Sequence, residues 1–216
     1  MNKTLDSDLY HNTCVSSWRS ILKVDLSTRN LVKIAMLSAT AFVLMLLQFP
    51  LAAFFPPFLE LDVSDVPALL GGFALGPLAG ILIELIKNLL HTLISGTLTG
   101  GIGELSNFFV GSFLVIPASI LYIRNKIKKN AIRGLLAGVI SMTICACFTN
   151  YYIILPLYSK LFMPMEQIIT SSPLAIVHDM KTFILFATIP FNLLKGAVVS
   201  VVTLLVYKSL SSLLHK

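Results

Sequence analysis

Asn192 and Lys195 lie three residues apart inside an apolar run from Thr182 to Tyr207. At helical spacing they share one face, so an amide and an ammonium can reach a common object. A lysine inside a membrane-spanning helix costs about 2.5 kcal/mol or more on insertion scales, so it faces protein or a water-filled cavity. Twelve mostly apolar residues follow Lys195 before Lys208, which argues against a side chain that snorkels to an interface. Pro190, two residues before Asn192, removes a backbone donor and loosens the helix beside the pair. Lys195 therefore reads as the floor of a polar pocket.

A second polar group comes from Glu84, Lys87, Asn88 and His91, spaced i, i+3, i+4 and i+7 along one helical face. An internal Glu84–Lys87 ion pair is the first reading of this stripe, and a wall of the same cavity as Lys195 is the alternative. As acids and bases, Glu84, Lys87 and His91 would suit a membrane enzyme. The clearest polar groups at pocket depth are instead amides and a lysine, which serve binding better than proton transfer. Asn107 joins the stripe as a further pocket candidate. The sequence carries no metal-ligand cluster and no phosphate-cradling glycine loop, so no metal, cofactor or ATPase activity of its own is expected. Cys14, Cys145 and Cys147 give no disulfide framework.

The elements that hold these residues are helices in a bilayer. The 216 residues are 56% hydrophobic and 12% charged, against about 25% charged in a soluble domain, and the mean hydropathy is +0.87. The net charge of +6 does not point to nucleic acid, because the basic residues gather at helix ends, as the positive-inside rule requires. The expected fold is an all-α membrane protein with six transmembrane helices and both termini cytoplasmic, in the cell membrane. Residues 1–28 form a cytoplasmic N-terminal tail, with a short interfacial helix around Trp18–Leu26, and residues 29–210 form the six-helix binding domain. The spans fall at Leu31–Phe49, Val66–Leu75, Leu78–Ile94, Glu104–Ile123, Gly134–Leu157 and Thr182–Tyr207.

Between Ile123 and Gly134 stand Arg124, Lys126, Lys128, Lys129 and Arg133 with no acidic residue, the clearest cytoplasmic signal in the chain. The 50–65 and 158–181 segments are then outside, and the glycine- and threonine-rich Ser95–Gly103 stretch is composed as a mobile outside loop. Ser64 and Asp65 precede Val66-Pro67 as an N-cap and first-turn pair. At 1.5 Å per residue from the cytoplasmic ends, Asn150 stands about 25 Å high, Asn192 about 24 Å and Lys195 about 20 Å. The three lie at similar depth, below the acidic first loop. Such a pocket suits a heteroaromatic ligand with carbonyls and ring nitrogens. In the first span, Ala35 and Ala39 are four apart and permit close helix approach, either within the bundle or to a partner protein.

Several motifs together carry a family resemblance. Ala35-x-x-x-Ala39, Phe58-Leu-Glu-Leu-Asp-Val-Ser-Asp-Val-Pro67, Gly76-Pro-Leu-Ala-Gly80 and Glu84-Leu-Ile-Lys-Asn-Leu-Leu-His91 occur in order. Asn150-Tyr-Tyr, Leu155-Pro-Leu-Tyr158 and Pro190-Phe-Asn-Leu-Leu-Lys-Gly196 follow. From about Leu31 to Lys208 the chain resembles the riboflavin-specific substrate-binding S components of energy-coupling factor (ECF) transporters. The resemblance implies a non-catalytic subunit that captures riboflavin from outside. It also implies a transmembrane coupling protein and two cytoplasmic ATPases as partners. It places the flavin against Asn150, Asn192 and Lys195, with the first loop contributing Leu59, Glu60, Leu61 and Asp62, and it makes Ala35 and Ala39 the docking surface for the coupling protein. An S component for thiamine, folate or pantothenate is the neighbouring alternative, and a membrane enzyme the more distant one.

Overall fold

The computed structural model describes residues 27–97 and 100–214, with side chains as far as Tyr207. The N-terminal tail with its expected interfacial helix and Cys14 lies outside the described residues. So does the pair His215 and Lys216.

The chain is an all-α membrane protein. Among the described residues, five helical segments are long and apolar enough to cross a bilayer: Thr28–Met45, Pro77–Ile94, Ile102–Arg124, Lys128–Leu161 and Met180–Tyr207, with mean hydropathies from 1.2 to 1.9. In chain order the elements are α1 (Thr28–Met45), β1 (Phe49–Pro50), β2 (Glu60–Leu61), α2 (Asp65–Leu75), α3 (Pro77–Ile94) and α4 (Ile102–Arg124). There follow α5 (Lys128–Thr149), a π-helical turn at Asn150–Ile154, α6 (Leu155–Leu161), α7 (Met165–Thr170) and α8 (Met180–Phe183). A second π-helical turn at Ile184–Thr188 then leads into α9 (Ile189–Leu214).

The short α2 is the centre of the bundle. Nine of its residues, Asp65 to Phe73, are buried, and it packs against α1, α3, α4 and α9. Gly76, at φ 110°, reverses the chain after it, and Pro77 starts α3 where its missing N–H costs nothing. At 11 residues, α2 is about 16 Å long, half the thickness of a hydrocarbon core. Its first turn is already buried, with Ser64 and Asp65 both at 0% exposure. The preceding segment is closed by an antiparallel β1–β2 pair, Phe49 opposite Leu61 and Pro50 opposite Glu60. Leu61 of β2 is buried, while Phe49 and Pro50 of β1 are exposed.

Boundaries differ most from the sequence reading in three places. The first helix ends at Met45 rather than Phe49, and Phe49 and Pro50 enter a strand. The basic stretch is largely helical, with only Asn125–Ile127 linking α4 to α5. The 158–181 segment is not a simple loop, since it holds the end of α6 and all of α7. Ile168 and Val177 there join Leu155, Phe183 and Ala187 in a second small core, with Phe58, Tyr151 and Tyr158 packed on it.

Both π-helical turns lie just before a proline, Pro156 in one case and Pro190 in the other. A proline supplies no N–H to the carbonyl four residues back, and its ring crowds that carbonyl, so the turn widens. The loosening expected above Asn192 takes this form.

Candidate functional site

A cavity of about 660 Å³ opens between the first loop, the α3–α4 connection, α5–α6 and α9. Asn150, Asn192 and Lys195 all line it, as depth counting along two separate helices anticipated. Leu59, Glu60 and Asp62 line it from the first loop. Leu61 does not. It is buried against Phe55 and Phe191 and holds the loop in place from behind. Phe58, Tyr158 and Phe191 add aromatic wall that the sequence reading had not placed there.

Asn150 and Asn192 are held in the same way. Each donates from Nδ2 to the carbonyl four residues earlier, Ala146 and Thr188 respectively, at 2.8 Å. One of each amide's N–H groups is thereby used, and the other N–H and the carbonyl oxygen remain for the cavity. Asn150 opens one π-helical turn, and Asn192 follows the end of the other by four residues.

Lys195 is 5% exposed and donates to Asp62 Oδ2 at 2.8 Å, with Asn107 Oδ1 at 3.5 Å and Asp65 Oδ2 at 3.9 Å. A buried ammonium needs such partners, because isolated it would be prohibitively costly. Burial alone would raise the Asp62 carboxyl, but the Lys195 and Lys87 ammoniums outweigh it and hold the group well below the usual carboxylate range. The Ser64 N–H, donating to Asp62 Oδ1 at 2.8 Å, adds to this. Ser64 occupies the N-cap position of α2 but makes no side-chain cap bond. Asp65 is likewise no cap: its Oδ1 pairs with Lys87 Nζ at 2.5 Å.

The polar stripe on α3 divides. Glu84 and Lys87 are fully buried and paired at 2.7 Å, with Asp65 completing a charged cluster beneath the cavity. A Cβ on Gly111 of α4 would stand 2.5 Å from Glu84 Oε2, so α4 carries a glycine where the carboxylate must fit. Asn88 is buried too, donating to the Glu84 carbonyl at 2.8 Å. None of these three lines the cavity. His91 does, with Asn107. His91 Nδ1 lies 3.3 Å from Glu104 Oε1, and Thr97 donates to Glu104 Oε2 at 3.1 Å. Glu104 had been read only as the start of a helix. The Glu60 carboxyl is raised above its usual range, first by burial; His91 opposes the rise, Asp62 and Glu104 add to it, and Lys195 opposes it.

On α1, Ala35 and Ala39 are exposed, whereas Ser38 and Ala41 face the bundle. Five of the 18 residues of α1 are buried, against ten of the 23 of α4. The alanines therefore do not serve packing within the chain.

The arrangement suits binding: a roomy cavity with aromatic wall, two fixed amides and one ammonium neutralised by Asp62, while Glu84 and Lys87 of the stripe are buried away from it and His91 meets Glu104 at its edge. Comparison with known proteins agrees. The chain is 39% identical over 188 residues to the riboflavin transporter RibU of Staphylococcus aureus (strain TCH60), covering 87% of this chain and 93% of that protein. It is 37% identical over 183 residues to the riboflavin transporter FmnP of Bacillus subtilis (strain 168), covering 84% and 92%. A solved structure of the S component of a bacterial ECF transporter superposes with a TM-score of 0.69 at 39% identity, covering 87% of this chain and 98% of that one. The family model for the ECF transporter substrate-specific component matches residues 29–207, and this multi-pass cell-membrane protein belongs to that family.

Proposed function

We propose that the protein is the riboflavin-binding S component of an ECF-type importer, capturing the vitamin from outside for uptake driven by ATP hydrolysis in partner subunits. The observation that carries the reading is the convergence of Asn150, Asn192 and Lys195 on one cavity. Two amides and an ammonium match the carbonyl and ring-nitrogen edge of a flavin, and Phe58, Tyr158 and Phe191 offer apolar wall to its rings. Leu59, Glu60 and Asp62 line the approach, with Leu61 packed behind them.

In this reading α1, α2, α3, α4, α5–α6 and α8–α9 make six passes. The short α2 suffices because the first loop covers the outer half of its path. Both termini and the α4–α5 link are cytoplasmic, and residues 1–28 are a tail outside the binding domain. The exposed Ala35/Ala39 face docks on a transmembrane coupling protein, which joins two cytoplasmic ATPases. No cofactor takes part, since riboflavin is cargo.

The protein purified in mild detergent is expected to be yellow, with the visible absorption of a flavin. After the ligand is stripped, added riboflavin is expected to lose fluorescence stoichiometrically. A colourless preparation that leaves riboflavin fluorescence unchanged would overturn the assignment.

A further inference from the structure

The cavity carries three carboxylates, Glu60, Asp62 and Glu104, and among the described residues one ammonium, Lys195. The lining charge is −2 with His91 neutral and −1 with it protonated, negative in either state. The charges beneath do not reverse the sign, because Asp65 and Glu84 outnumber Lys87. Lys195 is committed to Asp62 at 2.8 Å, so its field is largely spent at the floor.

Glu104 lies elsewhere. It precedes Asn107 by three residues on α4, one turn or about 4.5 Å nearer the outer end, and Asn107 is the residue that reaches Lys195. Its carboxylate is fixed by His91 and by Thr97, whose hydroxyl also accepts the Gly101 N–H at 2.8 Å. A ligand whose polar ring edge meets the floor directs its other end toward this rim. That end can bear hydroxyls, which a carboxylate accepts as hydrogen-bond donors. It cannot cheaply bear a phosphate, which brings a charge of about −1.5 to −2 near pH 7 and no compensating cation.

We infer that Glu104 is a specificity-determining residue that admits the uncharged ligand and penalises its phosphate monoester. The inference rests on the riboflavin reading above. The test titrates stripped protein with riboflavin and with riboflavin 5′-phosphate, following flavin fluorescence, in the wild type and in Glu104→Gln. Gln keeps the length and the hydrogen-bond acceptor for Thr97 while removing the charge. Wild type is expected to bind the phosphate ester at least about tenfold more weakly, and Glu104→Gln to narrow that ratio by about three- to tenfold. The wild-type ratio is also expected to shrink as salt is raised, a response that a packing role would not give.

Equal wild-type affinities for the two ligands would overturn the inference. So would a ratio unchanged in Glu104→Gln, or a parallel loss of both affinities that points to structure alone. Should Glu104→Gln fail to fold, the salt dependence of the wild-type ratio decides, and a flat ratio sinks the inference. Failure of riboflavin itself to bind the wild type would instead refute the proposed function.

Discussion

The Lys195 ammonium lies 2.8 Å from the Asp62 carboxylate although 133 residues separate them in the chain. The contact ties the last helix to the first loop and sets the cavity floor. Breaking a buried pair from one side leaves an uncompensated charge, at a cost of about 3–5 kcal/mol. Asp62→Asn is therefore expected to lower the melting temperature of the ligand-free protein sharply, and Lys195→Met to do the same. The double variant is expected to recover most of the stability without recovering flavin affinity. Thermal melts of the four proteins beside fluorescence titrations check this; single variants as stable as wild type would show the pair to be slack.

The same residue gives a pH dependence. Asp62 titrates below its ordinary value of 3.8 in the folded protein, so its contribution to stability is fully present above 3.8 and is lost as pH falls below it. Glu60 works the other way. Its carboxyl is raised above 4.5, so folding is progressively penalised as pH climbs from 4.5 through the raised value. Melting temperatures against pH are expected to show an acid-side loss that Asp62→Asn removes and a loss above 4.5 that Glu60→Gln removes.

The helices and the convergence of Asn150, Asn192 and Lys195 on one cavity were legible in the sequence because a helix has a fixed rise, and basic residues mark where to start counting. The path of a loop has no such rule. The acidic first loop was visible as a feature at the bundle mouth, but not that Asp62 would reach Lys195 or that Leu61 would turn away. Asp65 looked like a helix cap because local spacing favoured it. Tertiary pairing with Lys87, 22 residues on, decides its role. The Glu84–Lys87 pair was foreseeable from i, i+3 spacing, whereas the His91–Glu104 contact spans the α3–α4 connection and left no periodic trace.

Ala35 and Ala39 make a testable surface because they are exposed while their neighbours Ser38 and Ala41 are not. Ala35→Trp or Ala39→Trp is expected to abolish uptake in cells carrying the coupling partners while leaving the purified protein's riboflavin affinity within about twofold. Binding and uptake falling together would place these residues in the fold instead.

The proposed topology makes a separate prediction. A cysteine placed at Ser171 is expected to react with a membrane-impermeant thiol reagent applied to intact cells, and one at Asn130 to react only after permeabilisation. The reverse pattern would invert the protein in the membrane and detach the cavity from the outside.

The amides provide the last prediction. Asn150 and Asn192 each keep a carbonyl oxygen and an N–H for the cavity, because their other N–H is tied to the backbone at 2.8 Å. Removing either side chain strands a polar group of a buried ligand, which costs about 1–3 kcal/mol, more than the net worth of the bond. Asn150→Ala and Asn192→Ala are each expected to weaken riboflavin binding roughly five- to a hundredfold. The empty protein should be little affected, since the amide's protein bond is to a carbonyl that its own helix already serves. The two losses are expected to fall short of additive in the double variant, because a ring released at one amide is no longer held squarely against the other. Fluorescence titration of the three variants against ligand-free melts separates the outcomes. Unchanged affinity with lowered melting temperatures would make the amides backbone props and remove the flavin edge from this wall of the cavity.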